Sequence, residues 1–286
     1  MLDKSLDRHL PGTEVAKGKT KIIETGDELG TVIITSTNHI TAGDGARRIE
    51  LKNKGVYSTE TTKNVFRLLH QHGIATHFIP SGKGFLKNHQ FLAQQARMIP
   101  VEVVVRRIAF GSYLKRNPYF SAGEKLSRFV VEFFWKDDAN HDPLMIIDPV
   151  GERVLLYKPS EPFDIGFAGE RYLGANEDAL EWTLLKRLLR EGVEVAKSAF
   201  AVLTKSFAAA DVTLVDAKFE FGINQFGQLV LADVVDNDSW RIWPQGDPTK
   251  AFDKQVFRDA ANVTPELLEK LGENYAWVQT MTAGFL

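Results

Sequence analysis

Three charged side chains alternate with apolar ones in the segment 214–222, which reads LVDAKFEFG. Asp216, Lys218 and Glu220 are spaced by two residues, so on a β-strand they project from one face. The apolar residues between them project from the other face. The spacing therefore predicts two carboxylates and a lysine side by side on one surface of a strand.

The strand that returns after this segment lies within 228–236 and carries a third acid, Asp233. A four-residue turn over 224–227 would place Asp233 opposite Lys218, on the charged face. The residues before Asp233 are apolar on both faces, which indicates a buried hairpin, and buried charge is costly unless it is paired or bound. Carboxylates held this way suit Mg²⁺, which takes a few protein oxygens together with nucleotide phosphates. The alternative is an exposed face of an amphipathic hairpin, and the apolar return strand favours the functional interpretation.

Two lysines follow a glycine in the segment 18–21, GKTK. This is not a P-loop, because that pattern requires a glycine where Thr13 stands and a helix where a strand is predicted. Lys19 and Lys21 point the same way if the segment is extended, and Gly18 allows a close approach of the backbone. The segment is interpreted either as a hairpin loop that covers phosphates or as a solvated basic strand face. Taken alone, it does not decide between the two.

A third group of candidates is basic. Arg106 and Ser112 flank Gly111 at the end of a predicted strand, and arginine forks with a hydroxyl near a glycine turn suit a phosphate monoester. Surface salt bridges would explain these residues equally well. The other substrate-side candidates are Asp44, in a turn of small residues, and Arg241, Lys254 and Arg258.

Runs of β-branched residues bounded by turn signals predict strands that pair mostly as hairpins. These strands lie at 13–24, 31–37, 101–110, 212–223 and 228–236. They outnumber what a regular βαβ alternation would give, so we predict an α+β class with mainly antiparallel sheets and flanking helices. We divide the chain into a β-rich N-terminal lobe, residues 1–97, that carries the lysine hairpin, and a C-terminal α+β lobe, residues 98–286.

Helical signals are clearest after the first hairpin. A helix is predicted to begin at Ser58 or Thr59 and to run to Gln71, stopping at Gly73. Apolar spacing predicts the remaining helices. These are a run over 177–208 with a break at Gly192, and a last helix over 264–285 capped by Thr264; the stretch 143–176 is the most loop-like part of the chain, and its pattern predicts no elements.

Composition limits the class of protein. The chain has 286 residues, a net charge of −2 and no cysteine. Nothing in this balance demands nucleic acid or an anionic membrane as a partner, and disulfides, thiolate metal sites and a cysteine nucleophile are excluded. We find no apolar stretch of signal-peptide or membrane-helix length. We therefore expect a cytoplasmic protein that is a monomer or a small homo-oligomer.

Seven segments resemble, in order along the chain, those of the SAICAR synthetase (phosphoribosylaminoimidazole-succinocarboxamide synthase) family. They are GKTK (18–21), ITAGDGAR (40–47), MIPVEVVVRRIAFGSYLKRNP (98–118), WKDDANHDP (135–143), LVDAKFEFG (214–222), LADVVDNDSWRIWPQGD (231–247) and DKQVFRD (253–259). Ordered motifs over most of a chain are far more specific than any one of them. Two of the segments are more similar to the animal-type enzyme than to the short bacterial form.

The resemblance implies a two-lobed fold with an ATP cleft between the lobes, and a ligase of purine biosynthesis. ATP, L-aspartate and carboxyaminoimidazole ribonucleotide (CAIR) would give SAICAR, ADP and phosphate through an acyl phosphate. It implies Mg²⁺ as cofactor and adenine in a cleft near 98–103. By motif, the resemblance implies that Lys19 and Lys21 contact the ATP phosphates and that Glu220 and Asp233 bind Mg²⁺ and the nucleotide. It implies that Asp216 and Lys218 lie at the reacting carboxylate. The residues implied to bind the substrate are Arg106, Ser112, Arg241, Asp44, Lys254 and Arg258.

Two other functions would use the same residue types. A kinase-like phosphotransferase would pass phosphate to a hydroxyl of a small phosphorylated metabolite, and it would need no amine. A catalytically inactive ATP-sensing module would not need to keep Asp216, Lys218, Glu220 and Asp233 together.

Overall fold

The computed structural model describes residues 10–42, 47–80, 86–148, 153–172, 179–260 and 262–286, which form antiparallel sheets with flanking helices. The strands are β1 (Glu14–Lys17), β2 (Lys21–Thr25), β3 (Thr31–Ser36), β4 (His39–Ala42), β5 (Arg47–Glu50), β6 (Gln90–Gln94), β7 (Ala96–Ile108), β8 (Lys125–Trp135), β9 (Leu144–Ile147), β10 (Arg153–Tyr157), β11 (Phe167–Tyr172), β12 (Val212–Asn224), β13 (Leu229–Ala232) and β14 (Trp240–Pro244). The helices are α1 (Lys54–Gln71), α2 (Ser112–Arg116), α3 (Ala179–Arg187), α4 (Val193–Ala209), α5 (Gln255–Asp259) and α6 (Pro265–Ala283). The α+β class predicted from the sequence is confirmed.

The large sheet is built around β12. Its order is β11-β10-β9-β8-β7-β12-β13, and β14 also pairs with β12. One edge of β12 pairs with β7, while the other pairs with β14 over its first half and β13 over its second. Ala217, Phe219 and Phe221 of β12 are buried among core residues, which explains why this strand lies inside the sheet. The charged residues that alternate with them are thereby held on a rigid central strand.

The smaller sheet has the order β1-β2-β3-β6. The predicted strand 13–24 is in fact two strands, β1 and β2, which turn at the GKTK segment; the amide of Gly18 donates to the carbonyl of Lys21 at 2.9 Å. The lysine loop is therefore a hairpin turn, as one of its two interpretations required.

Helices cover the sheets on their apolar sides. Helix α4 packs on β12 and β7 through Phe200 and Leu203, and α1 packs on β3 through Val65 and Leu69, all of them buried. Complete burial of one such side chain contributes about 1.5–3 kcal/mol. Helix α6 packs against α1, with Thr264 accepting a hydrogen bond from the amide of Leu267 at 3.2 Å as the predicted cap.

The stretch 143–176, the most loop-like part of the sequence, contains strands that its pattern did not predict. Within its described part it forms β9, β10 and β11, which extend the large sheet on the far side of β8. The short apolar runs LMII and RVLLY form strands, and Pro159, Pro162 and Gly166 lie in the connection between β10 and β11. A few residues are too short a window for a period to emerge above turn signals.

Two helix boundaries also differ from prediction. Helix α1 begins at Lys54, after Asn53 in a left-handed conformation, so Ser58 and Thr59 are buried inside the helix instead of capping it. Gly192 does not break the later run, because a π-helical turn, Leu188–Gly192, carries α3 directly into α4.

The division into lobes at residue 98 stays a prediction. The two sheets change over between β6 and β7, close to that position, but the main core contains residues from both sides of it. Over the described part of the chain, no helix combines the length and the apolar character that crossing a membrane requires.

Candidate active site

The charged face of β12 carries a lysine–carboxylate cluster at its middle. Lys218 Nζ lies 2.8 Å from Glu102 Oε1 and 3.0 Å from Glu220 Oε1, and Lys136 Nζ lies 2.7 Å from Glu220 Oε2. Burial disfavours the charge on Lys218, but Glu220, Glu102 and Asp233 outweigh it and raise the pKa of the lysine well above 10.5. Burial likewise opposes ionisation of Glu220, yet its lysine neighbours hold its pKa below the usual 4.5.

Asp233 reaches this cluster by a route that the sequence did not predict. The register pairs Glu220 with Ala232, one residue out of step with the predicted pairing of Asp233 and Lys218. A one-residue slip moves side chains to the other face of a strand. Here β13 ends at Ala232, and Asp233 turns back in a left-handed conformation, with φ of 62°. Its carboxylate then binds Lys21 Nζ.

The two lysines of the loop have different partners. Lys21 is half-buried against Asp233, whereas Lys19 makes an exposed ion pair of 2.9 Å with Asp138. Both line a cavity of about 300 Å³ that also includes Lys218. The exposed pair contributes little to stability, so Lys19 is free to exchange its partner for a ligand.

A second cluster is centred on Asp216. Its Oδ2 accepts from Arg106 at 2.5 Å and from Arg241 at 2.6 Å. Arg106 also binds Glu132, whose other oxygen accepts from Arg116 at 2.6 Å. Burial disfavours the charge of Arg106, but Asp216 and Glu132 favour it more strongly, so the pKa of Arg106 is raised. Both arginines line the cavity of about 230 Å³, but Arg106 is bound to two carboxylates and is 4% exposed, whereas Arg241 is 17% exposed.

The glycine turn acts on this cluster through Arg241. Gly111 has φ of 62°, and a Cβ atom there would lie 3.0 Å from Arg241 Nη2. The backbone of Gly111 therefore passes directly beside the guanidinium; its positive φ favours glycine, and a side chain there would require Arg241 to shift. Ser112 begins α2 immediately afterwards and is partly buried, but it lines neither of the two site cavities.

A third cluster surrounds Asp238. It accepts from Lys54 Nζ at 3.0 Å and from the Tyr275 hydroxyl at 2.7 Å, and Lys254 Nζ lies 3.8 Å away. Burial opposes the charge of Asp238, but Lys54 and Lys254 hold its pKa below 3.8. Two cations beside this cluster have lowered pKa values: desolvation and then repulsion from Arg241 lower that of Arg258, whose side chain remains exposed, and burial lowers that of Lys254.

The clusters share one cleft. A cavity of about 230 Å³ contains Asp216 and Arg241, and the cavity of about 300 Å³ contains Lys21 and Asp233. They have six wall residues in common, namely Glu102, Asp142, Lys218, Asp238, Ser239 and Arg258. Asp216 and Lys218, two residues apart on β12, therefore mark the junction between the two halves.

The structure brings together nearly all of the residues singled out in the sequence. Asp44 lies outside the described residues, and Ser112 lies beside the cleft. The sequence did not single out Glu102, Lys136, Glu132, Lys54 or Asp238. Only Glu102 could have been found from the sequence. It is four residues from Arg106 in a predicted strand, so the two side chains share one face, opposite to the valines 101, 103 and 105.

A ready-made metal centre is absent from the part of the chain that the structure describes, where no group of three or more His, Asp or Glu side chains is arranged to hold an ion. Asp233 nevertheless lines the cavity of about 300 Å³, and Glu220 is joined to that wall through Lys218, so each carboxylate is paired with a lysine of the cavity. Mg²⁺ is commonly bound by one or two carboxylates with substrate phosphates supplying further oxygens. The donor set therefore fits a metal that arrives with a nucleotide.

Comparisons with known proteins lead to the same class of protein as the geometry of this cleft. A family model described as SAICAR synthetase matches residues 14–161 and 175–273. The bifunctional purine synthesis protein purC/E of Dictyostelium discoideum is 40% identical over 94% of this chain and 26% of that protein. The phosphoribosylaminoimidazole-succinocarboxamide synthase of Herpetosiphon aurantiacus is 38% identical over 96% of this chain and 98% of that protein. A solved SAICAR synthetase (Type-2) in complex with ADP superposes with a TM-score of 0.70 at 29% identity, covering 92% of this chain and 98% of the other.

Fold, cleft and similarity together define an ATP-dependent ligase of purine biosynthesis, as the sequence predicted. The chain belongs to the SAICAR synthetase family. It spans about a quarter of the Dictyostelium protein but nearly the whole of the Herpetosiphon enzyme. Its identity to the fused eukaryotic relative and to the bacterial one is about the same, so a closer similarity to the animal type stays a prediction.

Proposed function

We propose that this chain joins L-aspartate to CAIR, giving SAICAR, ADP and phosphate. The observation that carries this proposal is the junction at Asp216 and Lys218. There an arginine cluster suited to a phosphate monoester meets a lysine–carboxylate cluster suited to a metal-bound nucleotide, in one continuous cleft. A ligase of this kind needs both substrates within reach of one another, and that arrangement supplies the proximity.

The chemistry requires an activated carboxylate, because a carboxylate anion has no leaving group. In the proposed reaction an oxygen of the CAIR carboxylate takes the γ-phosphoryl group, and the bond from that phosphorus to ADP breaks. The aspartate nitrogen then attacks the acyl carbon, phosphate leaves, and the nitrogen loses a proton. No covalent bond to the enzyme forms, so positioning and charge stabilisation are what the protein supplies.

Lys19 and Lys21 are proposed to contact the ATP phosphates from the hairpin turn above the cavity. Lys19 has only an exposed partner, and Lys21 is held towards the cavity by Asp233. We place the adenine near 98–103, at the start of β7, where Met98 is exposed. Glu220 and Asp233 would hold Mg²⁺, which when bound neutralises charge on the phosphoryl group that is transferred.

Lys218 is proposed to lie at the reacting carboxylate. Its ammonium stays protonated far above neutral pH, because Glu220, Glu102 and Asp233 raise its pKa against the effect of burial. It therefore acts as a fixed positive charge and does not accept a proton. Asp216 orients Arg106 and Arg241 beside it.

The ribonucleotide phosphate is proposed to bind Arg241 and Arg258, with Lys254, Ser112 and Asp44 completing the substrate side. Arg258 lines both cavities and has a lowered pKa, from burial and then from Arg241, so an anion there relieves an unfavourable charge. Arg106, predicted from the sequence to bind substrate, is better placed to hold Asp216.

The test is ADP release in a mixture of protein, Mg·ATP and CAIR, with and without aspartate. We expect ADP to form with aspartate and, in equal amount, the absorbance of the succinocarboxamide product. ADP released equally fast without aspartate would refute the ligase assignment in favour of a phosphotransferase or hydrolase. We further propose a cytoplasmic location and no nucleic-acid or membrane partner, as composition favours, and a monomer or small homo-oligomer.

A further inference from the structure

His77 is a buried histidine directly behind the candidate nucleotide site. It is 4% exposed, and its backbone amide donates to the carbonyl of Leu231 at 2.9 Å. Its ring nitrogen Nε2 lies 2.9 Å from the backbone carbonyl oxygen of Asp233. The histidine therefore contacts β13 and the residue that follows it, but not the Asp233 carboxylate by any hydrogen bond.

The protonation state of this ring follows from its surroundings. A carbonyl oxygen only accepts hydrogen bonds, so Nε2 must carry the proton. The ring meets Phe66 edge-on at 5.6 Å and Phe91 at 5.9 Å, and burial lowers the pKa of His77 to about 4. At neutral pH the imidazole is uncharged and is held in one tautomer by a single partner.

Asp233 needs such a partner. A left-handed conformation is less favourable for aspartate than for glycine, and a defined one persists where its surroundings fix it. In this conformation the Asp233 carboxylate binds Lys21, although the register of β13 would direct a continued strand elsewhere. A hydrogen bond to the Asp233 carbonyl fixes the peptide plane on which this direction depends.

We infer that His77 is a positioning residue, which holds the backbone of Asp233 so that the carboxylate faces the metal-bound nucleotide. The inference rests on the proposed role of Asp233 in binding Mg·ATP. The role inferred for His77 differs from the role of Asp233, because His77 itself touches no substrate. His70 provides a matched comparison, since its Nε2 bonds to the Thr76 hydroxyl at 2.8 Å in the same aromatic cluster.

The variants are His77→Phe, which keeps the ring but has no donor, and His77→Gln, whose amide nitrogen takes the place of Nε2. His70→Phe is the control. Dissociation constants for ATP are measured calorimetrically with Mg²⁺ and with a chelator, without the other substrates. We expect His77→Phe to bind Mg·ATP about tenfold more weakly, the effect of about one lost hydrogen bond. Binding without metal should change less than about twofold.

Rescue separates positioning from general destabilisation. Both His77→Gln and His70→Phe should bind Mg·ATP within about threefold of the parent protein. Unchanged Mg·ATP binding by His77→Phe, or equal weakening with and without metal, would overturn the inference. If His77→Phe does not fold, His77→Gln provides the test, and tenfold weaker Mg·ATP binding by that variant would also overturn the inference. Failure of the parent protein to bind Mg·ATP would instead refute the proposed function on which it rests.

Discussion

Lys218 separates two carboxylates that would otherwise face each other across neighbouring strands. Glu102 of β7 and Glu220 of β12 are register partners, and the Lys218 ammonium binds both of them. Lys218→Met keeps the length and apolar stem of the side chain but removes the charge. The variant therefore leaves two partly buried acids side by side with one cation, Lys136, on the outer oxygen of Glu220.

The expected loss of stability follows from burial. Removing one member of a buried ion pair costs about 3–5 kcal/mol. The side chain of Lys218 retains 28% exposure and Lys136 still partners Glu220, so we expect a smaller loss, about 2–3 kcal/mol at neutral pH. Lys136→Met is the matched control. It removes the other cation from the same glutamate, but its side chain is 42% exposed, and we expect about 1 kcal/mol or less.

The loss should depend on pH. The folded state holds the pKa of Glu220 below 4.5, so this carboxylate contributes stability above that pH and loses it as the pH falls towards the folded value. The pKa of Lys218 is raised above 10.5, so its contribution is complete throughout the neutral range. The difference between the parent protein and Lys218→Met should be full at neutral pH and should shrink below about pH 4.5.

Urea unfolding followed by tryptophan fluorescence measures these free energies at neutral and acidic pH. Equal losses in Lys218→Met and Lys136→Met at neutral pH would contradict the argument from burial. A Lys218→Met loss of the same size at both pH values would show that packing, and not charge, is what the lysine contributes.

The glycine turn and a buried aspartate give two further tests. Gly111→Ala and Gly123→Ala both place a side chain at positive φ, 62° and 84°, and each should lose about 1–3 kcal/mol in thermal unfolding. Only Gly111→Ala should also raise the KM for the ribonucleotide severalfold, because its Cβ displaces Arg241; equal KM effects would contradict this. Burial raises the pKa of Asp253 to about 6, so carboxyl NMR should give a midpoint there, with the signal identified by its loss in Asp253→Asn. A midpoint near 3.8 would contradict the burial of this carboxyl group. Because the carboxyl group of the unfolded chain titrates near 3.8, Asp253 should stabilise the folded state increasingly as the pH falls from 7 to 5.

The period of two at Asp216, Lys218 and Glu220 was enough to place them on one face, because the side chains of a strand alternate whatever its neighbours are. Register was not predictable to the same degree. The turn after Asn224 is one residue shorter than predicted: the amide of Asn224 donates to the carbonyl of Gln228, and Gly227 takes the positive φ. Turn geometry fixes hairpin register, so the error at the turn carried directly to Asp233.

Partners distant in the sequence were beyond local reasoning. Lys54 lies 184 positions from Asp238, and neither residue belongs to a periodic pattern that marks it as buried. The ion pair forms because α1 begins at Lys54 and places its side chain, 2% exposed, against the loop before β14. The same contact explains why α1 begins at Lys54 and not at Ser58 or Thr59, although serine and threonine are favoured capping residues. Tertiary contacts overrode local capping preference here.

The charges of the cleft are unevenly balanced, and this decides how each substrate must arrive. At the nucleotide end, Lys21 is already neutralised by Asp233, and Lys218 by Glu102 and Glu220. A polyanion entering there meets no net positive charge unless it brings its own cation, so we expect ATP to bind more weakly without Mg²⁺ than with it. Lys254, which lines the cavity of about 300 Å³, and Arg258, which lines both cavities, have lowered pKa values because burial and like charges oppose their protonation. A phosphate monoester is itself the missing counter-charge there, and its binding should need no metal.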